Sequence, residues 1–451
     1  MILSSLLLLA AAPQADAGEP TRDPVGRVTV YRLDTVETLD GDAQKNVSIL
    51  VRDGIIERMG QAVVIPDGAE VIDLRRSGQV TMPPLVLTHA NWLIGDRRGT
   101  GSNGRFTAMD SMWLEDGWEE DLLEHGVLLV GVDPPGSGLP GRTSVLLADG
   151  QVGRPDALVE DLYLKVTMAT SRAAKKLVRD GLKAADDAIE KEDKARQDWE
   201  KARKEWEEKQ KAAEEEAKKK AEEAKKGEGG TAAQDPEGGK QEPEGEAPPE
   251  AYEPPKMDPN VAPLVDWVRQ ERPAQLWLRS ASDWLHWEDV VGERELSYDL
   301  VLRHGRSQNF AEVAEALAAT GLRVEVPANI SFLPFTRVRA NLPAELAAAG
   351  VEKLVLAPPS DTARGLEDWR VGVSRVVAEG LDRMVALKAM SLEPAAALGQ
   401  EELIAPLAAG APATFVIWSG DPLDPMSEVD LVVSAGEVVY DRAKKEKEEA
   451  R

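Results

Sequence analysis

From Val28 onward the sequence repeats short apolar stretches closed by turn residues: VTVYRLDTV, KNVSILVRDGIIERMG and AEVIDLRR, each rich in Val and Ile and broken by Asp-Gly or Gly. Such runs predict strands. The pattern returns near the C-terminus in ATFVIWSGD and in VDLVVSAGEVVYD, where Ala435-Gly436 predicts a hairpin turn. Between these β-rich ends, eight apolar runs alternate with helical stretches: PPLVLTHA, VLLVGVD, TSVLLAD, DLYLKVTMA, AQLWLRS, YDLVLRHG, LRVEVPA and KLVLAPP. Apolar on both faces, they read as buried parallel strands. The fold class is therefore α/β, with a (β/α)8 TIM-like barrel over residues 81–404. The two ends, 26–80 and 405–442, predict one composite β-sandwich, because each alone leaves an apolar face uncovered. A doubly wound open sheet is the alternative.

One segment departs from this rhythm. Residues 171–256 form a charged insertion, in which Lys191 to Lys226 hold 13 basic and 12 acidic residues in 36 positions without Gly or Pro. This predicts a solvated helix over about 183–226, roughly 1.5 Å long per residue. Trp199 and Trp206, seven apart, either anchor a lone exposed helix or mark a coiled-coil seam for a protein partner. Residues 227–256 are rich in Gly, Pro and Glu and predict a disordered linker. Neither part is expected to enter the barrel core.

Residues 1–17, MILSSLLLLAAAPQADA, predict a signal peptide, with small residues at Ala15-Asp16-Ala17 for cleavage. The expected localisation is periplasmic or extracellular, with no membrane span. Composition narrows the chemistry. Eighty acidic against 54 basic residues, a formal charge of −26, argue against nucleic acid or an anionic membrane surface as partner. The absence of cysteine removes disulfides, thiolate metal sites, iron–sulfur clusters and a cysteine nucleophile. Only His89, His125, His286 and His304 could supply imidazole ligands. His125 precedes Gly126 at a predicted helix end and His286 lies on a helical stretch, both ordinary structural positions. Two stretches match G-x-G-x-x-G, Gly99 to Gly104 and Gly136 to Gly141, but neither joins a strand to a helix N-terminus, so they read as loops and not as dinucleotide sites.

The stretch DGIIERMGQAVVIPDGAEVIDLRRSGQVTMPPLVLTH at 53–89 resembles the opening of the amidohydrolase superfamily, specifically its imidazolonepropionase-like group. The ending is similar too: KAMSLEPAAALGQ followed by GAPATFVIWSGDPLDPMSEVDLVVSAGEVVYDR. In the middle, LVDWVRQERPAQLWLRSASDW and YDLVLRHGRSQ resemble the group's fifth and sixth strand regions. The resemblance implies a barrel-mouth metal that lowers the pKa of a bound water, with an eighth-strand Asp moving its proton.

Carried over residue by residue, the implied metal site is eroded. The first-strand H-x-H becomes His89-Ala90-Asn91, and the fifth-strand histidine region becomes Trp277-Leu278-Arg279. His304 matches the sixth-strand histidine, preceded by Arg303 where an acidic residue is usual, and Asp361 matches the eighth-strand Asp. Lys165 falls where the group also has a lysine. The vestigial metal candidates are His89, His304 and Asp361, with Asn91 and Lys165 as weaker ones; Asp361 is the catalytic candidate. Each has a structural alternative: buried, hydrogen-bonded imidazoles for the histidines and a helix N-cap for Asp361. The implied cofactor is none, or a single divalent metal (zinc). Two functions follow: an exported, catalytically impaired binding or scaffolding protein that takes a small molecule in the barrel mouth, or a metal-dependent hydrolase of C–N bonds in cyclic amides or peptide-like compounds.

Overall fold

The computed structural model describes residues 28–94, 99–114, 117–149, 157–227 and 251–449. The expected signal peptide and most of the expected linker lie outside the described residues. The chain begins with β1 (Val28–Val36), whose Val30, Tyr31, Leu33 and Val36 are buried. Next, β2 (Gln44–Arg52) pairs antiparallel with β1, and β3 (Ile55–Gly60) with β2. Then β4 (Glu70–Asp73) and β5 (Val80–Met82) return parallel to β1.

The chain now enters the middle region through β6 (Leu85–Leu87). An excursion follows, carrying β7 (Gly99–Ser102) and α1 (Trp118–Glu124), before β8 (Val127–Val132) pairs parallel with β6. After it, β9 (Gly136–Leu139) pairs parallel with β7, so the two glycine-rich motifs form one small ribbon. The short β10 (Gly141–Arg142) leads into β11 (Ser144–Leu147), which runs antiparallel to β8. This corrects the expectation that TSVLLAD is a third parallel strand. A parallel return needs a crossover of about a dozen residues or more, usually helical, and only β9 and β10 lie between β8 and β11.

A regular parallel sheet follows. It comprises β12 (Leu164–Thr167), β13 (Ala274–Leu278), β14 (Tyr298–Leu302), β15 (Val324–Pro327) and, after the hairpin β16 (Ser331–Phe332) with β17 (Arg339–Ala340), β18 (Leu354–Ala357). Its connections carry α2 (Arg172–Gly227), α3 (Ala262–Val268), α4 (Ala281–Val291), α5 (Ala314–Ala319) and α6 (Leu342–Ala349). All eight predicted runs are thus strands. Among the described strands no ladder joins β8 to β12 or β18 to β6, so a closed hydrogen-bonded cylinder is not formed. After β18, α7 (Ala363–Ala378) packs Trp369, Val373 and Val376 into the main core.

The C-terminal strands complete the first sheet: β19 (Phe415–Trp418) pairs antiparallel with β5, followed by β20 (Val429–Ser434) and β21 (Glu437–Asp441). The two chain ends are joined in a single eight-stranded hydrogen-bonded sheet. The β20–β21 hairpin turns at Ala435-Gly436 as expected, with φ of 46° and 84°. The Asp53-Gly54 turn stacks against it, and a Cβ on Gly54 would stand 2.6 Å from the Ala435 carbonyl oxygen. Only glycine permits that approach.

The insertion also departs from expectation. The first turns of α2 belong to the core: Val178, Leu182 and Ala185 are buried, and Arg179, Asp186 and Glu192 pair with Asp289, Arg294 and Arg269. From residue 201 to 220 the helix is exposed almost throughout, held by pairs such as Arg203–Glu207 at 3.0 Å and Glu216–Lys220 at 2.7 Å. At the far side of the expected linker, Tyr252 is ordered on α2, with its ring 5.8 Å from Trp199 and its hydroxyl donating to the Glu192 carbonyl at 3.3 Å. Among the described residues no helix is long and apolar enough to cross a membrane.

Candidate functional site

The parallel strands are not apolar on both faces. Alternation sends Leu276, Leu300, Leu302, Val324 and Leu356 to the helix-covered core and their neighbours to the other face. The register aligns those neighbours in two rows, Lys165–Gln275–Asp299 and Trp277–Val301–Glu325–Val355. Each of four consecutive strands therefore contributes a polar residue to this face, Lys165, Gln275 and Glu325 buried and Asp299 half-buried.

Residues that follow β6 and β8 meet Glu325 and Lys165. His89, at 2% exposure, places Nδ1 2.6 Å from Glu325 Oε1, and the Thr88 hydroxyl donates to the other Glu325 oxygen. His89 Nε2 lies 3.0 Å from Arg303 Nη1. Burial opposes a charge on this imidazole, but Glu325 outweighs it and holds the pKa above the ordinary value, with Arg303 acting against it. The contacts correspond to a ring whose Nδ1 faces the Glu325 carboxylate and whose Nε2 accepts from Arg303. Lys165 is equally engaged: its ammonium pairs with the fully buried Asp133 and donates to the Pro134 carbonyl at 3.1 Å. The Trp277 ring lies between these cations, 4.0 Å from Lys165 Nζ and 5.6 Å from Arg303 Cζ, and edge-on to His89 at 4.9 Å.

Asp361 accepts from the Asn91 backbone N–H at 3.1 Å. Burial and then the Asp133 carboxylate raise its pKa, against His89, Arg303 and that N–H. The N-cap of α7 is Thr362, whose side chain accepts from Gly365 N–H at 3.0 Å, so Asp361 does not cap the helix. His304 Nδ1 donates to the Gly305 carbonyl at 2.9 Å, leaving Nε2 buried without a hydrogen-bond partner. Burial and then Arg303 lower its pKa despite that carbonyl, so the ring is neutral near pH 7. His125 ends α1, and on α4 His286 Nδ1 lies 3.3 Å from Lys175 Nζ of α2.

The structure brings together His89, the Asn91 backbone, Asp361 and Lys165, but the polar atoms of His89 and Lys165 are taken by other side chains. Among the described residues no group of three His, Asp or Glu side chains is placed to hold a metal. The donor set does not suit a divalent ion: a guanidinium holds His89 Nε2, an ammonium holds Asp133, and an indole stands at the fifth-strand position. Of the candidates, only His304 offers an unclaimed nitrogen. The sequence reading missed Glu325 and Asp133 as partners, although each is a lone acid beside or within a run of Val and Leu, which signals a buried charge with a mate.

No protein-family profile and no curated protein matches the sequence. Solved structures do match in fold. An amidohydrolase from Thermotoga maritima MSB8 superposes with a TM-score of 0.68 at 20% identity, covering 92% of this chain and 100% of that one. The chain has the amidohydrolase fold. A beta-aspartyl dipeptidase from Fervidobacterium islandicum AW-1, solved with a beta-Asp-Leu dipeptide, superposes with a TM-score of 0.51 at 11% identity, covering 92% and 97%. In this amidohydrolase fold Trp277 lies near the C-terminal end of β13, Arg303 and His89 follow β14 and β6, and Lys165 and Glu325 sit within β12 and β15.

Proposed function

We propose that the protein is an exported binding member of the imidazolonepropionase-like amidohydrolases, in which the mouth at the ends of the parallel strands is neutralised by its own side chains instead of by a metal. One observation carries this reading: Arg303 and Lys165 put fixed positive charge on His89 and Asp133, atoms a metal site would leave free for the ion. A small molecule in the mouth and a protein partner on the exposed outer part of α2 are the ligands the reading expects. The test is hydrolysis of cyclic amides and dipeptides, beta-Asp-Leu among them, with and without added zinc. No turnover above buffer is expected in either case; zinc-dependent turnover would contradict the reading.

A second reading, a metal-dependent hydrolase of C–N bonds, draws on His304, whose Nε2 is buried and unpartnered. There His304 would hold a zinc that supplies Lewis acidity, and Asp361, its pKa raised by burial and then by the Asp133 carboxylate, would serve as the proton acceptor. Replacing His304 with Ala would then abolish zinc-dependent turnover.

A further inference from the structure

A second cavity, of about 640 Å³, lies beside the mouth, between the segment that follows Asn91 and the helices α1 and α7. Three indoles wall it: Trp92, Trp118 and Trp113, the last 72% exposed. The polar lining is acidic, from Asp121, Glu124 and Glu367, and among the described residues no Lys or Arg lines it. Nearby cations are already held. Lys445 pairs with Glu124 and with Glu120, and Arg370 donates to the carbonyls of Pro422, Pro425 and Ser427 while lying 4.6 Å over the Trp418 ring. Arg364 approaches Glu367 only at 3.9 Å, on the open face of α7. His125 also lines the cavity; burial and then Arg370 lower its pKa, so it adds no positive charge near pH 7.

Indole faces attract cations through their quadrupole, and the attraction grows when the site is partly shielded from water. Carboxylates beside such faces add Coulomb attraction and exclude anions. A neutral aromatic ligand would gain from the indoles but not from Asp121 and Glu367, and a hydrated metal ion would gain little from the indoles. We infer that this cavity binds a small organic cation, an alkylated ammonium head group seated among Trp92, Trp113 and Trp118 and neutralised by Asp121 and Glu367. The inference does not depend on whether the neighbouring mouth carries out catalysis.

The test is isothermal titration calorimetry of the full chain with choline, tetramethylammonium and 3,3-dimethylbutan-1-ol, the uncharged carbon isostere of choline. Saturable one-site binding of both cations is expected, with the alcohol at least about tenfold weaker. Trp113→Ala, at an exposed position, should weaken choline about tenfold without lowering the melting temperature, and Asp121→Asn should weaken choline but not the alcohol. No saturable binding of either cation, equal affinity for the alcohol, or choline affinity unchanged in both variants would each overturn the inference. If Trp113→Ala melts lower than the parent chain, the Asp121→Asn result decides.

Discussion

At the residue scale the mouth places buried groups of opposite charge side by side, so removing one should cost more than the pair is worth. Glu325, 4% exposed, faces His89 and Thr88. Glu325→Gln should lose about 3–5 kcal/mol in urea denaturation, since it removes the carboxylate that His89 and Thr88 face in a buried site. A loss under about 1 kcal/mol would show that the charges are not coupled. Tyr163 carries the pH dependence. Its hydroxyl donates to Asp299 at 3.0 Å and also bonds the Ala397 carbonyl. Burial and then the Asp299 carboxylate push its pKa well above the ordinary value. The folded state therefore keeps a proton that the unfolded chain releases near pH ~10, and the associated stability is full below that pH and is lost as pH rises above it. Tyr163→Phe should flatten this alkaline decline and cost about 1–3 kcal/mol at pH 7; an unchanged alkaline limb would contradict the assignment. The identities of Arg303 and Trp277 were legible as departures from a family pattern. Their partnership with His89 and Lys165 was not, because 214 positions separate Arg303 from His89 and only strand register brings them together.

At the element scale α2 divides where its burial changes. Leu182→Ala should destabilise the fold by about 2–5 kcal/mol, whereas the outer arm should be dispensable. The Trp199–Tyr252 contact brings the two sides of the excursion to 5.8 Å between ring centroids, so a short Gly/Ser link can replace residues 200–250. Unchanged melting is expected for that deletion; a loss of several degrees would mean that the arm packs on the body of the protein. Charge density in the sequence marked the exposed arm, but not Val178, Leu182 and Ala185, which are spaced at helical intervals inside a charged segment. The eight apolar runs were likewise visible as strands. The reversal of β11 and the single polar residues Lys165, Gln275, Asp299 and Glu325 were hidden, since one polar position per short run does not disturb its apolar average.

For the whole molecule, strands from both ends of the chain share one eight-stranded sheet. Because β19 covers the edge of β5 and the Ala435-Gly436 turn stacks on Gly54, deleting residues 410–442 should yield an insoluble chain. A soluble, cooperatively melting truncation would show that the first sheet stands without its C-terminal strands. The central claim is that internal cations occupy the place of a metal in this fold. It is tested most directly by zinc per chain, measured by mass spectrometry after dialysis of the purified protein against zinc and then against metal-free buffer. The account predicts zinc far below one equivalent; one equivalent of zinc per chain, lost on replacing His304 with Ala, would contradict it.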